Sequence, residues 1–403
     1  MVSFTKGKSP FYPGQPVPAE LFVGRAGQIE RILSRGAGQV ASGKPVSMFV
    51  QGEYGIGKSS IAGYAQSIAE RKFGLHAIYA PLGGAESIDD VGARVLEATI
   101  RSGAFDPKRS ERIRELLAKY IGEQYLFGVS LHADALKKDA PSIASGLLPF
   151  LGEVLSRLRG NGVRGIFLTL DEINGITSNP KFSHFIKAIV DTNAMSPEPL
   201  PLLLMLCGVE ERRREMITHH QPVDRIFDIV DIGAMTGDEM RHFFSFAFDS
   251  VQMRVDDDAL NILTRYSAGF PKIMHLVGDA AYWIDRDGVI DANDARDAVL
   301  DAADEVGRKY VDQQVYKALR SEDYHSILDK IAGLGSDRMS FRKAEVASNL
   351  TETEKKKFNN FLQKMKSLKV LKSGDVQGEY IFNVRMVRLY IWLQSLRKKR
   401  GRA

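Results

Sequence analysis

Apolar residues form five short runs in the first 232 residues, and polar or amphipathic segments separate them. Runs that are apolar almost throughout are typical of strands covered by helices on both faces. Strands that alternate with helical segments predict a parallel sheet built from β-α-β units. The five predicted strands are residues 46–50, 76–82, 166–170, 202–207 and 226–232.

The segments between these runs show helical periodicity. It predicts helices at 26–35, 59–71, 88–100 and 182–191, and a loop at 36–43. Residues 107–159 also look mainly helical, which is more chain than a single crossover needs. This segment is either an insertion that binds a partner or an enlarged helical layer.

After residue 232 the long apolar runs stop and helical patterns follow. Thr236 and Glu239 have the spacing of a capping box and start a helix rich in phenylalanine. Further helices are predicted at 256–266, 272–284 and 292–303. We expect a small all-helical lid domain after the sheet domain.

The last segment combines helices with a hairpin. Helices are predicted at 324–332, 341–347 and 386–396. Another helix begins at the capping box Thr351–Glu354 and carries an apolar stripe at offsets of three and four. A hairpin follows it at 370–372 and 380–382. Three helices before a hairpin is the order of a winged helix-turn-helix. The stripe is formed by Phe358, Phe361, Leu362, Met365 and Leu368.

Composition narrows the class of protein. Apolar residues make up 44% of the 403 and charged residues 26%, as in a soluble globular protein. The single cysteine, Cys207, lies in an apolar run and excludes an intrachain disulfide, which suits a reducing cytoplasm. No stretch has the length of a membrane span and residues 1–13 lack a signal-peptide core, so we expect a cytoplasmic protein without a membrane partner.

Positive charge is concentrated at the C-terminal end. Residues 308–403 contain 22 Lys and Arg against 10 Asp and Glu, a formal charge of +12 within a chain whose total is +5. Such an asymmetry favours a polyanion such as DNA as a partner of this part. A solvated lysine-rich surface is the alternative.

The most specific motif is G-x-x-x-x-G-K-[ST] at residues 52–59, which follows a predicted strand and precedes a predicted helix. In that setting the motif is a phosphate-binding loop, whose backbone amides and helix N-terminus face phosphate groups. Lys58 reaches the phosphates, and the Ser59 hydroxyl holds Mg²⁺. The loop residues expected to bind nucleotide are Gly52, Glu53, Tyr54, Gly55, Ile56, Gly57, Lys58, Ser59 and Ser60.

Two acids end the third predicted strand. Ligands of open α/β sheets bind at the carboxyl ends of the strands, so Asp171 and Glu172 are expected beside the phosphates. We expect Asp171 to hold Mg²⁺, directly or through water, and Glu172 to orient and deprotonate the attacking water. ATP and Mg²⁺ are therefore the predicted cofactors, and an ATPase is the predicted enzyme.

The order of these motifs, with Phe22-Val23-Gly24-Arg25 before them and a helical lid and winged helix after them, resembles AAA+ ATPases. The chain is most similar to the origin-recognition and initiator branch and to the related STAND-type ATPases. The resemblance covers nearly the whole chain. It implies that Val23, Gly24 and Arg25 lie against adenine.

The resemblance also implies roles for two cations. Lys272, in Gly269-Phe270-Pro271-Lys272, matches the sensor-2 position, where a cation touches the γ-phosphate; many members carry arginine there. Arg225 matches the arginine finger, which reaches the site of a neighbouring subunit and makes hydrolysis depend on assembly; the alternative is an ordinary surface arginine. The sensor-1 position, after the strand at 202–207, has no obvious polar candidate, which would suit slow hydrolysis.

The predicted fold class is an α/β P-loop NTPase domain, a parallel sheet between helices, with a helical lid and a C-terminal winged helix-turn-helix domain. The expected boundaries are an extended lead-in at 1–20, the nucleotide-binding domain at 21–234, the lid at 235–307, the winged helix at 308–396 and a basic tail at 397–403.

Two functions remain open at this stage. In the first, an ATP-driven switch assembles into an oligomer through its nucleotide site and contacts DNA phosphates. In the second, a STAND-type signalling or defence ATPase binds a protein effector through the insertion and the winged helix. A small-molecule kinase lacks support, because acids after the strand are the hydrolase arrangement. The residues expected on DNA are Lys355, Lys356, Asn359, Asn360, Lys398, Lys399 and Arg400.

Overall fold

The structure is a computed structural model, which describes residues 6–15, 22–102, 140–335, 338–374 and 376–400. The chain divides into two compact units. Residues 16–233 form one, which we call the sheet unit, and residues 1–15 with 234–403 form the other, which we call the helical unit. The boundary between the units lies between residues 233 and 234, one residue before the boundary predicted from the sequence. The finer division of the helical unit into a lid and a winged helix stays a prediction.

The sheet unit contains all five predicted strands in one parallel sheet. The spatial order is β2-β3-β4-β1-β5. Both β3 and β4 are buried along their whole length, which explains their continuous apolar runs. The strands are β1 (Val46–Gly52), β2 (Leu75–Pro81), β3 (Gly165–Asp171), β4 (Leu202–Gly208) and β5 (Asp228–Ile232).

Helices connect the strands of the sheet unit. The apolar side chains of α3, α4 and α5 pack with Ile78, Leu168 and Leu204 in one core on one face of the sheet. Of the predicted insertion at 107–159, residues 107–139 lie outside the described residues, whereas α4 belongs to this core. The helices are α1 (Ala26–Arg31), α2 (Lys58–Ile68), α3 (Ile88–Ser102), α4 (Ala140–Leu158), α5 (Pro180–Ala194) and α6 (Glu210–His219).

The prediction of a loop at residues 36–43 is wrong. After α1 the chain stays helical through π-type turns at Ile32–Ala37 and a last α-helical turn at Gly38–Ala41. A side chain at Gly36 would come within 3.1 Å of Leu203 and Met48. The glycine therefore serves close packing of this helix on the sheet, and it does not end the helix.

The helical unit begins with the four predicted helices. The capping box at Thr236 is present, since its hydroxyl accepts from the Glu239 N–H and the Glu239 carboxylate accepts from the Thr236 N–H. Two short parallel strands, β6 (Arg254–Val255) and β7 (Val289–Ile290), were not predicted. The helices are α7 (Gly237–Asp249), α8 (Asp257–Ser267), α9 (Pro271–Ile284) and α10 (Ala292–Val306), which continues through π-type turns at Gly307–Tyr316.

Residues 6–15, predicted as part of an extended lead-in, are packed into the helical unit. The Phe11 ring is 4% exposed and lies 5.1 Å from the Phe248 ring, centroid to centroid. The backbone N–H of Tyr12 donates to Nδ1 of His275 at 3.1 Å. A side chain at Gly278 would collide with the Phe11 ring, so this glycine makes room for it. The segment is thus part of the core of this unit.

The end of the chain has three helices, a three-stranded antiparallel sheet and a final helix. The strand order is β8-β10-β9. A strand that was not predicted, β8, precedes α12, so the helix predicted at 341–347 begins two residues later. The winged helix-turn-helix predicted for this segment stays a prediction. The elements are α11 (Glu322–Ala332), β8 (Ser340–Arg342), α12 (Lys343–Ala347), α13 (Glu352–Ser367), β9 (Leu371–Ser373), β10 (Glu379–Phe382) and α14 (Arg385–Arg400).

A buried arginine supports this C-terminal arrangement. Arg388 is 1% exposed, and its guanidinium donates to the carbonyls of Ile331 and Ala332 at the end of α11. It satisfies helix-end carbonyls that would otherwise be buried without partners. Helix α14 extends to Arg400, so residues 397–400 are helical and do not form a separate tail. None of the described helices combines the length and apolar character that a membrane span needs.

The buried histidine His275 predicts how the helical unit responds to acid. Burial lowers the pKa of His275 to about 4, well under the unfolded value of about 6.5. Because the unfolded chain binds this proton more tightly, the contribution to stability is complete above pH 6.5 and is lost as pH falls toward 4. We expect the free energy of unfolding to drop by about 2 kcal/mol between pH 7 and pH 5 through this group.

Calorimetric unfolding across this pH range checks the prediction. His275→Gln should flatten the pH dependence, whereas the control His242→Gln, at an exposed position, should retain it. An unchanged slope in His275→Gln would contradict the assignment.

Candidate active site

The phosphate-binding loop lies between β1 and α2, as predicted. Gly52 ends β1 so close to β5 that a Cβ there would be 2.6 Å from the Ile232 carbonyl oxygen. Gly55 and Gly57 have φ angles of 76° and 98°, which only glycine adopts without strain. The loop therefore needs its glycines in order to turn and to pack against the neighbouring strand.

The Lys58 side chain folds over its own loop. Its Nζ donates to the carbonyls of Gly52 at 2.9 Å and Glu53 at 2.8 Å, and lies 5.7 Å from the centre of the exposed Tyr54 ring. Burial lowers the pKa of Lys58, and the nearby Asp171 carboxylate opposes that shift. A partly desolvated ammonium at a phosphate loop is suited to pairing with an anion.

Asp171, at the end of β3, meets the start of α2. The Ser59 hydroxyl donates to Oδ2 of Asp171 at 2.5 Å, and the Glu172 N–H donates to Oδ1 at 2.8 Å. The Asp171 residue is 2% exposed. The structure thus brings together two residues that are 112 positions apart in the sequence and that were predicted to share a metal ion.

These two residues fit Mg²⁺. A hydroxyl and a carboxylate supply the hard oxygen ligands that this ion prefers. Among the described residues there is no group of three or more His, Cys, Asp or Glu that could hold a metal. Mg²⁺ at Ser59 and Asp171 would therefore complete its coordination with phosphate oxygens and water, as is usual where the ion is bound together with a nucleotide.

Glu172 has an exposed carboxylate beside this pair. Its backbone is in the left-handed region, with φ at 56°, which is uncommon for a residue with a side chain. A Cβ at Gly83, in the loop after β2, would collide with Oε2 of Glu172. Gly83 thus leaves space for the carboxylate that was predicted to activate water.

Tyr79, on β2, is a member of the site that sequence reasoning missed. Its hydroxyl donates to Oδ2 of Asp171, the oxygen that also accepts from Ser59. Burial, followed by the Asp171 charge, raises the pKa of Tyr79, so the phenol stays a donor. Two donors on one carboxylate oxygen fix its orientation. In the sequence, the only indication of this role was a hydroxyl-bearing side chain near the end of an otherwise apolar strand.

The end of β4 explains why no sensor-1 residue was found. A Cβ at Gly208 would lie 3.0 Å from a side-chain carbon of Ile173 and 3.5 Å from the Phe49 ring. Packing at this point leaves little room for a polar side chain. Cys207 is fully buried, as expected, and burial raises the pKa of its thiol.

The segment Val23-Gly24-Arg25 precedes α1, and its arginine contacts the loop. Arg25 is 5% exposed, with φ at 65°. Its guanidinium donates to the Ile56 carbonyl of the phosphate loop at 3.2 Å and to the carbonyl of Gly233. Arg25 therefore supports the loop directly, and the adenine contact of the segment stays a prediction. The Phe22 ring stacks on Tyr64 of α2 with 4.6 Å between ring centres.

Two further cations, Arg225 and Lys272, were predicted to act on the nucleotide. Arg225 is exposed in a short turn, Gln221–Arg225, before β5. No hydrogen bond or ion pair joins it to the phosphate loop among the described residues. Lys272 is exposed in the first turn of α9, in the helical unit. Their roles stay predictions.

The residues predicted to contact DNA are exposed where they are described. Lys355 forms an ion pair with Glu352 at 2.8 Å, and Lys356, Asn359 and Asn360 lie on the surface of α13. Lys398 pairs with Asp329 at 3.1 Å. Lys399 and Arg400 belong to α14, and their side chains lie outside the described residues.

Comparison with known proteins shows the fold. Neither a protein-family model nor a curated protein matches the chain. Among solved structures, the ORC2 protein of Aeropyrum pernix, with ADPNP and ADP, is similar with a TM-score of 0.57, at 12% identity over 97% of each chain. A Walker-type ATPase of Pyrococcus abyssi has a TM-score of 0.56 at 15% identity, over 92% of this chain and 96% of that one.

The chain therefore has the α/β P-loop NTPase fold of these Walker-type and origin-recognition ATPases, and the predicted fold class is confirmed. The identity is low, so the likeness concerns the fold.

Removing one hydroxyl tests the role of Tyr79. In Tyr79→Phe the Asp171 carboxylate loses a donor that orients it, so the Mg²⁺ concentration at half-saturation should rise about threefold to tenfold, since a hydrogen bond to a charged group contributes roughly 1.5 kcal/mol or less here. Binding of ATP without Mg²⁺ should not change. Titration of nucleotide binding with Mg²⁺ measures both quantities.

Tyr64→Phe, which removes a hydroxyl elsewhere in the sheet unit, is the matched control. If Tyr79→Phe shows the Mg²⁺ dependence of the control, Tyr79 does not position Asp171.

Proposed function

We propose that this protein is a Mg²⁺-dependent AAA+ ATPase that acts as a switch, assembles through its nucleotide site and contacts DNA through a C-terminal winged helix. The observation that carries the proposal is the 2.5 Å hydrogen bond from Ser59 to Asp171 beside the Lys58 loop. It joins a phosphate-binding element to a carboxylate in the manner that ATP hydrolysis requires.

Each side chain has a defined task in the hydrolysis. The loop amides and Lys58 bind and orient the β- and γ-phosphates. Ser59 and Asp171 would hold Mg²⁺, which would neutralise part of the phosphate charge. Glu172 accepts a proton from the water whose oxygen attacks the γ-phosphorus, and the bond between that phosphorus and the β–γ bridging oxygen breaks to give ADP and phosphate.

Assembly is part of the proposal because Arg225 is exposed and has no described link to its own phosphate loop. An arginine in that condition is free to enter the site of a second copy and to stabilise charge in the transition state. Lys272 is proposed to touch the γ-phosphate. As a point charge it gives less directional contact than the arginine of many relatives.

DNA is the proposed polyanion for the helical unit. The +12 charge of residues 308–403 and the exposed polar face of α13 support it. Phosphate contacts of this kind give binding that is salt-sensitive and tolerant of sequence. Binding that does not weaken as salt rises would argue against this part of the proposal.

A protein effector is the second candidate partner. Trp283 of α9 is 55% exposed, and large exposed aromatic residues are enriched at protein interfaces. Lys355 and Lys398 are also already paired with acids, which leaves them less available for phosphates. Recovery of one stoichiometric protein partner, without retention of DNA, would favour the STAND-type alternative.

Two substitutions separate binding from hydrolysis. Lys58→Ala should weaken ATP binding by about 2 kcal/mol or more, roughly thirtyfold, because a partly buried cation that faces phosphates is removed. Glu172→Gln should retain ATP binding while turnover falls about a hundredfold or more, because the proton acceptor is removed. Calorimetric titration and phosphate release measure the two effects.

Lys44→Ala and Glu198→Gln, at exposed positions of the sheet unit, are the matched controls. Full ATP affinity in Lys58→Ala would contradict the assignment of the loop. Normal turnover in Glu172→Gln would remove the catalytic role of that residue.

A further inference from the structure

A cavity of 670 Å³ in the helical unit is lined by four cations and lies apart from the α13 lysines proposed above to contact DNA. It is formed by the chain after the π-type turns that follow α10, by the start of α11 and by α13. A hydroxyl and an amide add further hydrogen-bond donors to its wall. The residues are Lys317, Arg320, Lys357 and Lys364, with Ser321 and Asn360.

Most of this positive charge has no acidic partner. Lys357 pairs with Asp323 at 2.6 Å. Lys317, Arg320 and Lys364 form no ion pair with any described residue. Glu322 and Asp323, in the first turn of α11, are the acids adjacent to the cavity in sequence. Cations that converge on one space repel each other, and a bound anion removes that repulsion.

The walls of the cavity are held in place by contacts between α11 and α13. Lys330 of α11 pairs with Glu354 of α13 at 2.5 Å, and the Tyr324 and Phe361 rings meet edge to face at 5.6 Å. Tyr324 itself lines the cavity. Because these contacts between α11 and α13 fix the position of the cavity residues, little ordering would be needed for binding.

The helical period of α13 separates this cavity from the other lysines of the helix. Lys357, Asn360 and Lys364 follow one another at offsets of three and four, so they form one stripe. Lys355, Lys356 and Asn359 do not line the cavity. Helix α13 therefore carries two groups of polar residues. Those predicted from the sequence to contact DNA are Lys355, Lys356 and Asn359, which lie outside the cavity, and Asn360, which lines it.

We propose that this basic cavity binds two or more linked phosphate groups, which come either from a nucleic-acid backbone or from a free polyphosphate. Phosphate oxygens accept hydrogen bonds, and the polar side chains that line the cavity can donate them: the lysine ammonium groups, the planar fork of Arg320, the Ser321 hydroxyl and the Asn360 amide. The volume equals that of roughly twenty water molecules, which exceeds the needs of a single phosphate. If the phosphates come from a nucleic-acid backbone, the inference rests on the proposed DNA function; if they come from a free polyphosphate, it does not. Neither kind of binding requires ATP hydrolysis.

Two double variants of equal charge test the proposal. Lys317→Gln/Lys364→Gln removes two cavity cations, and Lys355→Gln/Lys356→Gln removes two cations from the other group on α13. All proteins are full-length chains that also carry Lys58→Ala, so that the phosphate-binding loop does not contribute. Inorganic tripolyphosphate and a duplex DNA are the two probes, and affinity is measured at several salt concentrations.

We expect the affinity of the cavity variant to fall about tenfold for at least one probe. The control variant should keep its affinity for tripolyphosphate, because neither of its residues lines the cavity, whereas a decrease in its DNA affinity would report the separate α13 contacts proposed above. For DNA, the slope of log affinity against log salt should become shallower by about 2, because two fewer DNA phosphates are neutralised by the protein. A selective decrease for DNA identifies nucleic acid as the source, and a selective decrease for tripolyphosphate alone identifies a free polyphosphate.

The proposal is overturned if the cavity variant changes neither affinity, or if both variants lower the affinity for tripolyphosphate equally. DNA binding that disappears only in Lys355→Gln/Lys356→Gln would support the proposed function and still reject the cavity. A chain that binds tripolyphosphate through the cavity and does not bind DNA would support the cavity and reject the proposed DNA function. Unchanged thermal unfolding in both variants shows that neither result comes from misfolding.

Discussion

The hydrogen bond from Ser59 to Asp171 is the interaction on which the rest of the site depends. It connects the first turn of α2 to the end of β3 across β4, because the parallel register places the carboxyl ends of these strands at one edge of the sheet. Tyr79 and the Glu172 N–H complete the set of donors around the same carboxylate. Glu172, the carboxylate that we propose to activate water, lies next in sequence, and Gly83 leaves it space.

The sheet unit and the helical unit use charge in different ways. At the phosphate loop of the sheet unit, cations are individually placed: Lys58 is folded over its loop, and Arg25 is buried against the Ile56 carbonyl. In the helical unit, cations are numerous and mostly exposed, and part of them is already neutralised by acids such as Glu352 and Asp329. Lys317, Arg320 and Lys364, which form no ion pair with any described residue, line the cavity beside α11 and α13. This contrast favours separate sites for the nucleotide and for a second polyanion.

The parts of the structure that could be predicted are those that depend on residues close together in the sequence. The G-x-x-x-x-G-K-[ST] loop, the apolar runs of the five strands and the two capping boxes depend on local spacing, and the structure has all of them. What was missed depends on contacts between distant residues. Gly36 looked like the start of a loop until its contact with Leu203 was known, and Phe11 gave no sign that it would fill a core formed by Phe243 and Phe248. Strand β8 has a single buried residue, too few for an alternating pattern.

The central claim is that a triphosphate binds at residues 52–59 with its metal ion between Ser59 and Asp171. A crystal structure of the full chain with a non-hydrolysable ATP analogue and Mn²⁺ in place of Mg²⁺ tests it most directly, because Mn²⁺ gives an anomalous signal that locates the ion. The account predicts one strong anomalous peak within coordination distance of the Ser59 hydroxyl, with Asp171 beside it directly or through one water, and the γ-phosphate facing Glu172. An analogue bound elsewhere, or an ion remote from both residues, would contradict it.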